Sequence, residues 1–350
     1  MRVLQLAASV IAITLLPTPV FAQQAANDWF NQPASYANVS EQVPDEEVHA
    51  STVDDCCGGG QSWEKCCEPL WTVSAGAVIL TRGAPQSSPI ARNFQNTSTL
   101  LDANEFKFNW AAGADISAVR RVVNVDAVDA IDVRYYGVQS WQASSSMDTN
   151  GFWRFPNGVG LFHPSHLDSV WRSQFYSAEL NARRNSSYSW LTSVAGFRWL
   201  QLNDQLNIMQ RLADSSRHDF DTTTRNNLYG VQVGAITRIL DGGGPLAISC
   251  ASKAGIYGNA AANHWNVNST LLSADQQDQF AFVGDVNALA NYRISDHIAF
   301  QGGYQLLWIE GVAVAGDQFA AMHQQTTHDG INSTGGAFFH GATAGLTLTW

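Results

Sequence analysis

Three groups of histidine and aspartate stand in polar stretches of the chain: His163, His166 and Asp168; Asp214, His218, Asp219 and Asp221; and His323, His328 and Asp329. Aspartate or serine beside histidine can activate a water or a hydroxyl, which is the chemistry of hydrolysis. That chemistry needs a fixed mutual geometry, and these spacings lie on segments with no regular face and no ordered run of catalytic motifs. Metal binding fails on the same ground. The residues read as solvated loop positions, so the chain is expected not to be an enzyme and to need no cofactor and no metal. A hydrolase using loop Asp and His residues remains the last of three readings.

A second set of charges follows a rule. Asp115, Asp132, Arg134, Glu179, Arg183, Arg198, Arg238, Lys253, Asp285 and Arg293 each occupy the polar phase of a segment whose alternate residues are apolar. Period two is the signature of a strand with unlike faces. Both signs are present, so the set reads as mutual neutralisation in a narrow polar interior, with a ring that selects ions as the sharper alternative.

Ten such segments follow one another: 71–82, 106–118, 128–140, 170–183, 188–202, 227–240, 246–257, 280–293, 297–309 and 337–350. Each has about the length that crosses a bilayer as a tilted strand, ~9–11 residues plus rims. The connections alternate. Residues 83–105, 141–169, 203–226, 258–279 and 310–336 are long and polar; 185–187, 241–245 and 294–296 are tight, and 119–127 is intermediate. A transmembrane barrel imposes that alternation, with turns on one rim and loops on the other, and a soluble sandwich does not. Trp71, Trp199, Tyr229, Tyr292, Trp308 and Trp350 fall near segment ends, where membrane-interface aromatics are expected. The expectation is an all-β, antiparallel, up-and-down transmembrane barrel of about ten strands (10–12), both termini in the periplasm.

The N-terminus supports that address. Arg2, the apolar run 10–16 and Val20-Phe21-Ala22 make residues 1–22 an export signal peptide. Residues 23–70 read as a separate disordered segment. Asp28, Glu41, Asp45, Glu46, Glu47, Asp54, Asp55, Glu64 and Glu68 face one base there, Lys65, so the net charge of −11 belongs mostly to this tail. Cys56, Cys57, Cys66 and Cys67 are disulfide candidates in an oxidising compartment, with intermolecular attachment or metal binding as alternatives. Residues 71–350 form the barrel. Only 14% of residues are charged, and lysine occurs only at 65, 107 and 253, which excludes a nucleic-acid-binding surface. The partners implied are outer-membrane lipid, the barrel insertion machinery acting on the C-terminal strand, and small solutes. The sequence does not fix the oligomeric state.

Several strand motifs, taken in order, resemble a known family. They are 71–80 (Trp-Thr-Val-Ser-Ala-Gly-Ala-Val-Ile-Leu), 190–200 (Trp-Leu-Thr-Ser-Val-Ala-Gly-Phe-Arg-Trp-Leu), 229–235 (Tyr-Gly-Val-Gln-Val-Gly-Ala) and 253–259 (Lys-Ala-Gly-Ile-Tyr-Gly-Asn), then 303–308 (Gly-Tyr-Gln-Leu-Leu-Trp) with 311–315, and 339–346 (Phe-His-Gly-Ala-Thr-Ala-Gly-Leu). Together they resemble the beta-barrel porin family of planctomycetes, the seventh of the families so named, over about residues 70–350. The resemblance implies an outer-membrane barrel in a bacterial cell envelope and a porin passing small solutes. It supplies no catalytic residues. Ten strands point to a narrow lumen, since eight are filled by their own side chains and open channels have ~16–18. A non-conducting surface protein, its barrel anchoring long binding loops, is therefore weighed beside the pore.

Overall fold

The computed structural model describes residues 69–123, 125, 127–156, 162–241, 243–321 and 331–350. The expected signal peptide, the tail as far as residue 68 with its four cysteines, and His323, His328 and Asp329 lie outside them. In chain order the strands are β1 (Trp71–Arg82), β2 (Pro89–Asn93), β3 (Thr99–Asp102), β4 (Ala111–Arg121), β5 (Ala130–Asp148), β6 (Trp153–Arg154), β7 (Ser165–Asn185), β8 (Leu191–Leu212), β9 (Arg217–Asp241), β10 (Leu246–Val267), β11 (Thr270–Arg293), β12 (Ile298–Val312) and β13 (Gly335–Thr349), with a short helix α1 (Ala315–Ala321) before the last. Ten of them, all but β2, β3 and β6, close into one antiparallel barrel in which neighbours in sequence are neighbours in space. β1 completes the ring by pairing with β4 on one side and β13 on the other. This is a transmembrane up-and-down β-barrel.

The strand boundaries correct the sequence reading in one systematic way. Strands β7 to β11 run 21, 22, 25, 22 and 24 residues, about twice what a bilayer needs. The stretches 203–226 and 258–279, expected as long loops, are strand. They close in tight turns, at Ser215 (φ 68°) and at Asn268-Ser269 (φ 49° and 64°). The stretch 141–169 is partly strand as well, continuing β5 and beginning β7. Segment 106–118 is the opposite case. Its first five positions are not strand, because Phe106 and Phe108 leave the wall to fill the interior.

A change of phase explains the extra length. On β8 the outward residues run Ala195, Phe197, Trp199 and then Gln201, Asn203, Gln205, Asn207, while the inward ones run Thr192, Arg198 and then Leu200, Leu202, Leu206, Ile208, all four fully or almost fully buried. The lower part has its apolar face out and polar face in, as lipid demands. The upper part is the reverse, as water demands. The outward aromatic at the switch is followed by a polar residue on four further strands: Tyr176 then Gln174, Tyr229 then Asn227, Phe280 then Asp278, Trp308 then Glu310. Below that line Val231, Val233 and Ile256 are 67%, 67% and 65% exposed, large aliphatics that belong in hydrocarbon. The barrel therefore has a membrane band next to its turn rim and a water-facing extension beyond.

Of the expected interface aromatics, Trp71, Tyr292 and Trp350 lie at the turn rim, where Trp71 and Trp350 exchange backbone hydrogen bonds of 3.0 and 3.1 Å. Trp199 and Tyr229 pair across β8 and β9 at the phase switch. Trp308 lies over Gly284 on β11, where an added Cβ would come within 2.5 Å of its ring. Only glycine admits that ring against the sheet.

Candidate functional site

The lumen brings together residues from all ten barrel strands and is filled in layers. At its middle Arg198, Glu179 and Asp285 have side chains 0–1% exposed. Arg198 donates from Nη1 to Asp285 Oδ2 (2.6 Å), from Nε to Ser177 Oγ (2.9 Å) and from Nη2 to the Tyr136 hydroxyl (2.5 Å). Lys253 Nζ donates to Glu179 Oε2 at 2.5 Å, and Gln232 Nε2 donates to the same oxygen at 2.9 Å. Arg134 grips Asp115 with two bonds of 3.0 and 2.7 Å and reaches Gln305 Oε1 at 3.1 Å. Three cations thus meet three carboxylates. An unpaired charge in such a place costs several kcal/mol, so the layer holds together only as a set.

Toward the turn rim a cavity of about 420 Å³ opens below this layer, from His297 and Trp350 up to Lys253 and Arg134. Asp132, Arg183 and Arg293 line it, with Arg183 Nη2 donating to Asp132 Oδ2 at 2.7 Å. Arg238 stands at the rim itself, where Nη1 donates to the Ser189 carbonyl at 2.9 Å.

Toward the loop end the lumen is closed. Arg82 Nη1 bonds Asp204 Oδ1 (2.6 Å) and Ser173 Oγ (3.0 Å), and its guanidinium lies 4.8 Å from the ring centre of Phe108 and 5.4 Å from that of Trp171. Around it Trp141, Trp171, Phe175, Phe339, Leu202 and Leu307 belong to a continuous apolar core. The small sheet β3-β2-β6 and α1 fill the remaining mouth. Trp153, Phe155, Phe162 and Phe220 stack together there, and Phe319 of α1 adds its ring 5.3 Å from Phe155. Asn226 on β9 fixes the approach to α1 by exchanging two 2.8 Å bonds with the Ala313 backbone.

Arg82, Asp204, Tyr136, Gln232 and Gln305 belong to this lumen and were not in the sequence reading. Asp204 carried a signal: it occupies the phase of Leu202 and Leu206, a charge on an otherwise apolar face.

The loop-cluster residues sit on the extension wall and its turns. Asp214 accepts from the Ser216 hydroxyl and amide, which hold its carboxyl below the usual range. Asp219 pairs with Arg217, Asp221 accepts from Gln205, and His218 meets Asn268. His163 stacks near Phe152. His166 is different. Its Nδ1 lies 2.7 Å from Asp148 Oδ1, and its Nε2 lies 3.0 Å from Ser146 Oγ and 3.2 Å from Asp168 Oδ1. The bond to Asp148 raises its pKa above the ordinary histidine value, and the bond from Arg211 lowers that of Asp168. Among the described residues no group of three or more His, Cys, Asp or Glu is placed to hold a metal. No described helix is long and apolar enough to cross a membrane.

No family model matches the chain, and no curated protein is similar to it. Among solved structures it is similar to the outer membrane protease OmpT from Escherichia coli, at a TM-score of 0.41 and 11% identity over 80% of this chain and 96% of that one. Outer-membrane expressed OmpT of Vibrio cholerae aligns at a TM-score of 0.13 and 12% identity over 80% and 98%. The chain is a transmembrane β-barrel protein. The expectation that it is not an enzyme is corrected: the Escherichia coli neighbour is a protease, so an enzymatic role stands open. A likeness of this strength says nothing of which chemistry that role would be.

Proposed function

We propose that the protein is a non-conducting outer-membrane barrel whose turn rim and termini face the periplasm and whose extension stands above the outer surface. The observation that carries this reading is the layered filling of the lumen: a neutral set of six charges, a buried Arg82–Asp204 pair, then an aromatic core under α1. A hydrated ion has no water-lined path through such a stack. The extension then offers a rigid, water-facing cylinder on which recognition surfaces can be held, the usual service of a scaffold to the loops it carries.

The passive pore that the planctomycete family resemblance implies is the second reading. The cavity of about 420 Å³ favours it over the turn-side half of the lumen alone. The export signal, insertion through the C-terminal strand and membership of that family belong to the same proposal. Planar-bilayer recording on the refolded protein tests it. The expected record shows no steps in KCl or in a bulky-ion salt at either polarity. Reproducible single-channel steps from the wild-type protein would sink the closed reading in favour of the pore.

A further inference from the structure

We infer that Ser146, His166 and Asp148 form a hydrolytic triad on the outer wall of the extension, acting on small acyl esters by acyl transfer.

The register of β5 and β7 builds it. Asp148 stands directly opposite His166, and Ser146 directly opposite Asp168. A bulge between Val138 and Trp141 shifts the phase of β5, so that Ser146 and Asp148 face outward while Trp141 and Ala143 stay in the core. The two ring nitrogens then meet their partners in the order that acyl transfer requires. Asp148 at 2.7 Å from Nδ1 fixes the tautomer that carries its proton there; the Ser146 hydroxyl donates to Asp168 Oδ1 at 2.9 Å at rest and, with Oγ 3.0 Å from Nε2, need only rotate to hand its proton to that nitrogen. Asp168 Oδ1, 3.2 Å from Nε2, adds a second carboxylate beside the imidazolium that forms. Arg211, opposite His166 on β8, is ion-paired with Asp168 and holds that carboxylate in place beside the ring.

Folding does not demand this arrangement. The wall is solvent-facing, the His166 and Asp148 side chains are 37% and 79% exposed, and surface ion pairs of this kind contribute ~0–1 kcal/mol. Exposure also leaves the nucleophile within reach of a substrate.

In the first step Ser146 Oγ bonds the acyl carbon and its proton passes to His166 Nε2. The ester C–O bond breaks, and the alkoxide departs with that proton. Water then attacks the acyl-serine, gives a proton to His166, and Ser146 leaves with it. Water is the only co-reactant.

The site lies on a strand face with no cleft, so it selects the ester group and little of the chain behind it. Arg172, exposed on the same outward face of β7, favours an anionic substituent. Asp168 and Tyr176 lie on the same strand; at ~3.3 Å per residue and a ~40° tilt, the site stands ~20 Å beyond the membrane band. Soluble short-chain esters are favoured over bilayer lipid.

The test uses the full chain folded in detergent, with folding of each variant checked by heat-modifiable gel mobility. A fluorophosphonate probe should label Ser146, read by peptide mass. Labelling and p-nitrophenyl acetate hydrolysis should both fall at least 10-fold in His166→Asn and in Asp148→Asn, and vanish in Ser146→Ala. The hydrolysis rate should rise with pH through the ionisation of His166, and Asp148→Asn should move that inflection to lower pH. A folded barrel whose Ser146 is unlabelled at pH 8, or one labelled at an unchanged rate in His166→Asn, would overturn the triad.

Discussion

Arg82 Nη1 donates to Asp204 Oδ1 across 2.6 Å, and both side chains are cut off from water. They come from strands β1 and β8, on opposite flanks of the lumen, and with Ser173 they make a polar tie within the apolar core. Removing one partner strands the other charge. Asp204→Leu or Arg82→Met alone should therefore destabilise the barrel by about 3–5 kcal/mol, whereas the double variant should recover much of the loss. Urea titration of intrinsic tryptophan fluorescence in micelles measures both.

The phase switch fixes where lipid ends. An arginine at Val231 or Val233, on the outward face of the band, should cost about 2–4 kcal/mol. An arginine at Thr223, outward on the same strand but in the extension, should cost little. Unfolding free energies of the three variants in lipid vesicles compare the two zones, and equal costs would place the membrane elsewhere.

The β10–β11 turn holds two non-glycine residues, Asn268 and Ser269, at positive φ. Asn268 is anchored, since its amide donates to the Asp219 carbonyl at 2.9 Å and its side-chain oxygen accepts from the Asp219 amide. Ser269 has no such compensation. Ser269→Gly should remove left-handed strain of up to about 1 kcal/mol, seen as slower proteolytic nicking at the tip with β-sheet circular dichroism unchanged.

His166 titrates above an ordinary histidine because Asp148 bonds its Nδ1 and Asp168 stands near Nε2. A raised folded-state pKa means that the favourable contact is complete below the unfolded value and is lost as pH rises through the folded one. Proton-detected histidine titration should give a midpoint above ~6.5, and Asp148→Asn should bring it down. A midpoint below that value would contradict the contact.

Ten barrel strands and their order were legible in the sequence because lipid outside and polarity inside leave a clear period of two, as in 229–240. The extension was not. From Leu200 the alternation continues, but the apolar phase moves to the other face, and the outward residues Gln201, Asn203, Gln205 and Asn207 have the composition of a loop. The turns that should have announced hairpins, Ser215 and Asn268-Ser269, lack the glycine that usually marks them. The inner sheet escaped notice because β2, β3 and β6 have 5, 4 and 2 residues, too few to show a period. Asp115, Arg134, Glu179 and Lys253 could be placed on one phase by counting, yet their pairing depends on curvature, which no spacing encodes. Ser146 and Asp148 meet His166 only through cross-strand register and a bulge, so the first group of charges met in the chain lacked two of its members.

The seam between Trp71 and Trp350 has a kinetic consequence. β1 has no stable lateral partner on its β13 side until the final strand arrives, so no shorter nascent product can become a cylinder. Until then both edges offer unpaired amides and carbonyls to any neighbouring chain. Closure joins the most distant parts of the barrel sequence, so the last seam to form is also the one with the largest loop-closure entropy.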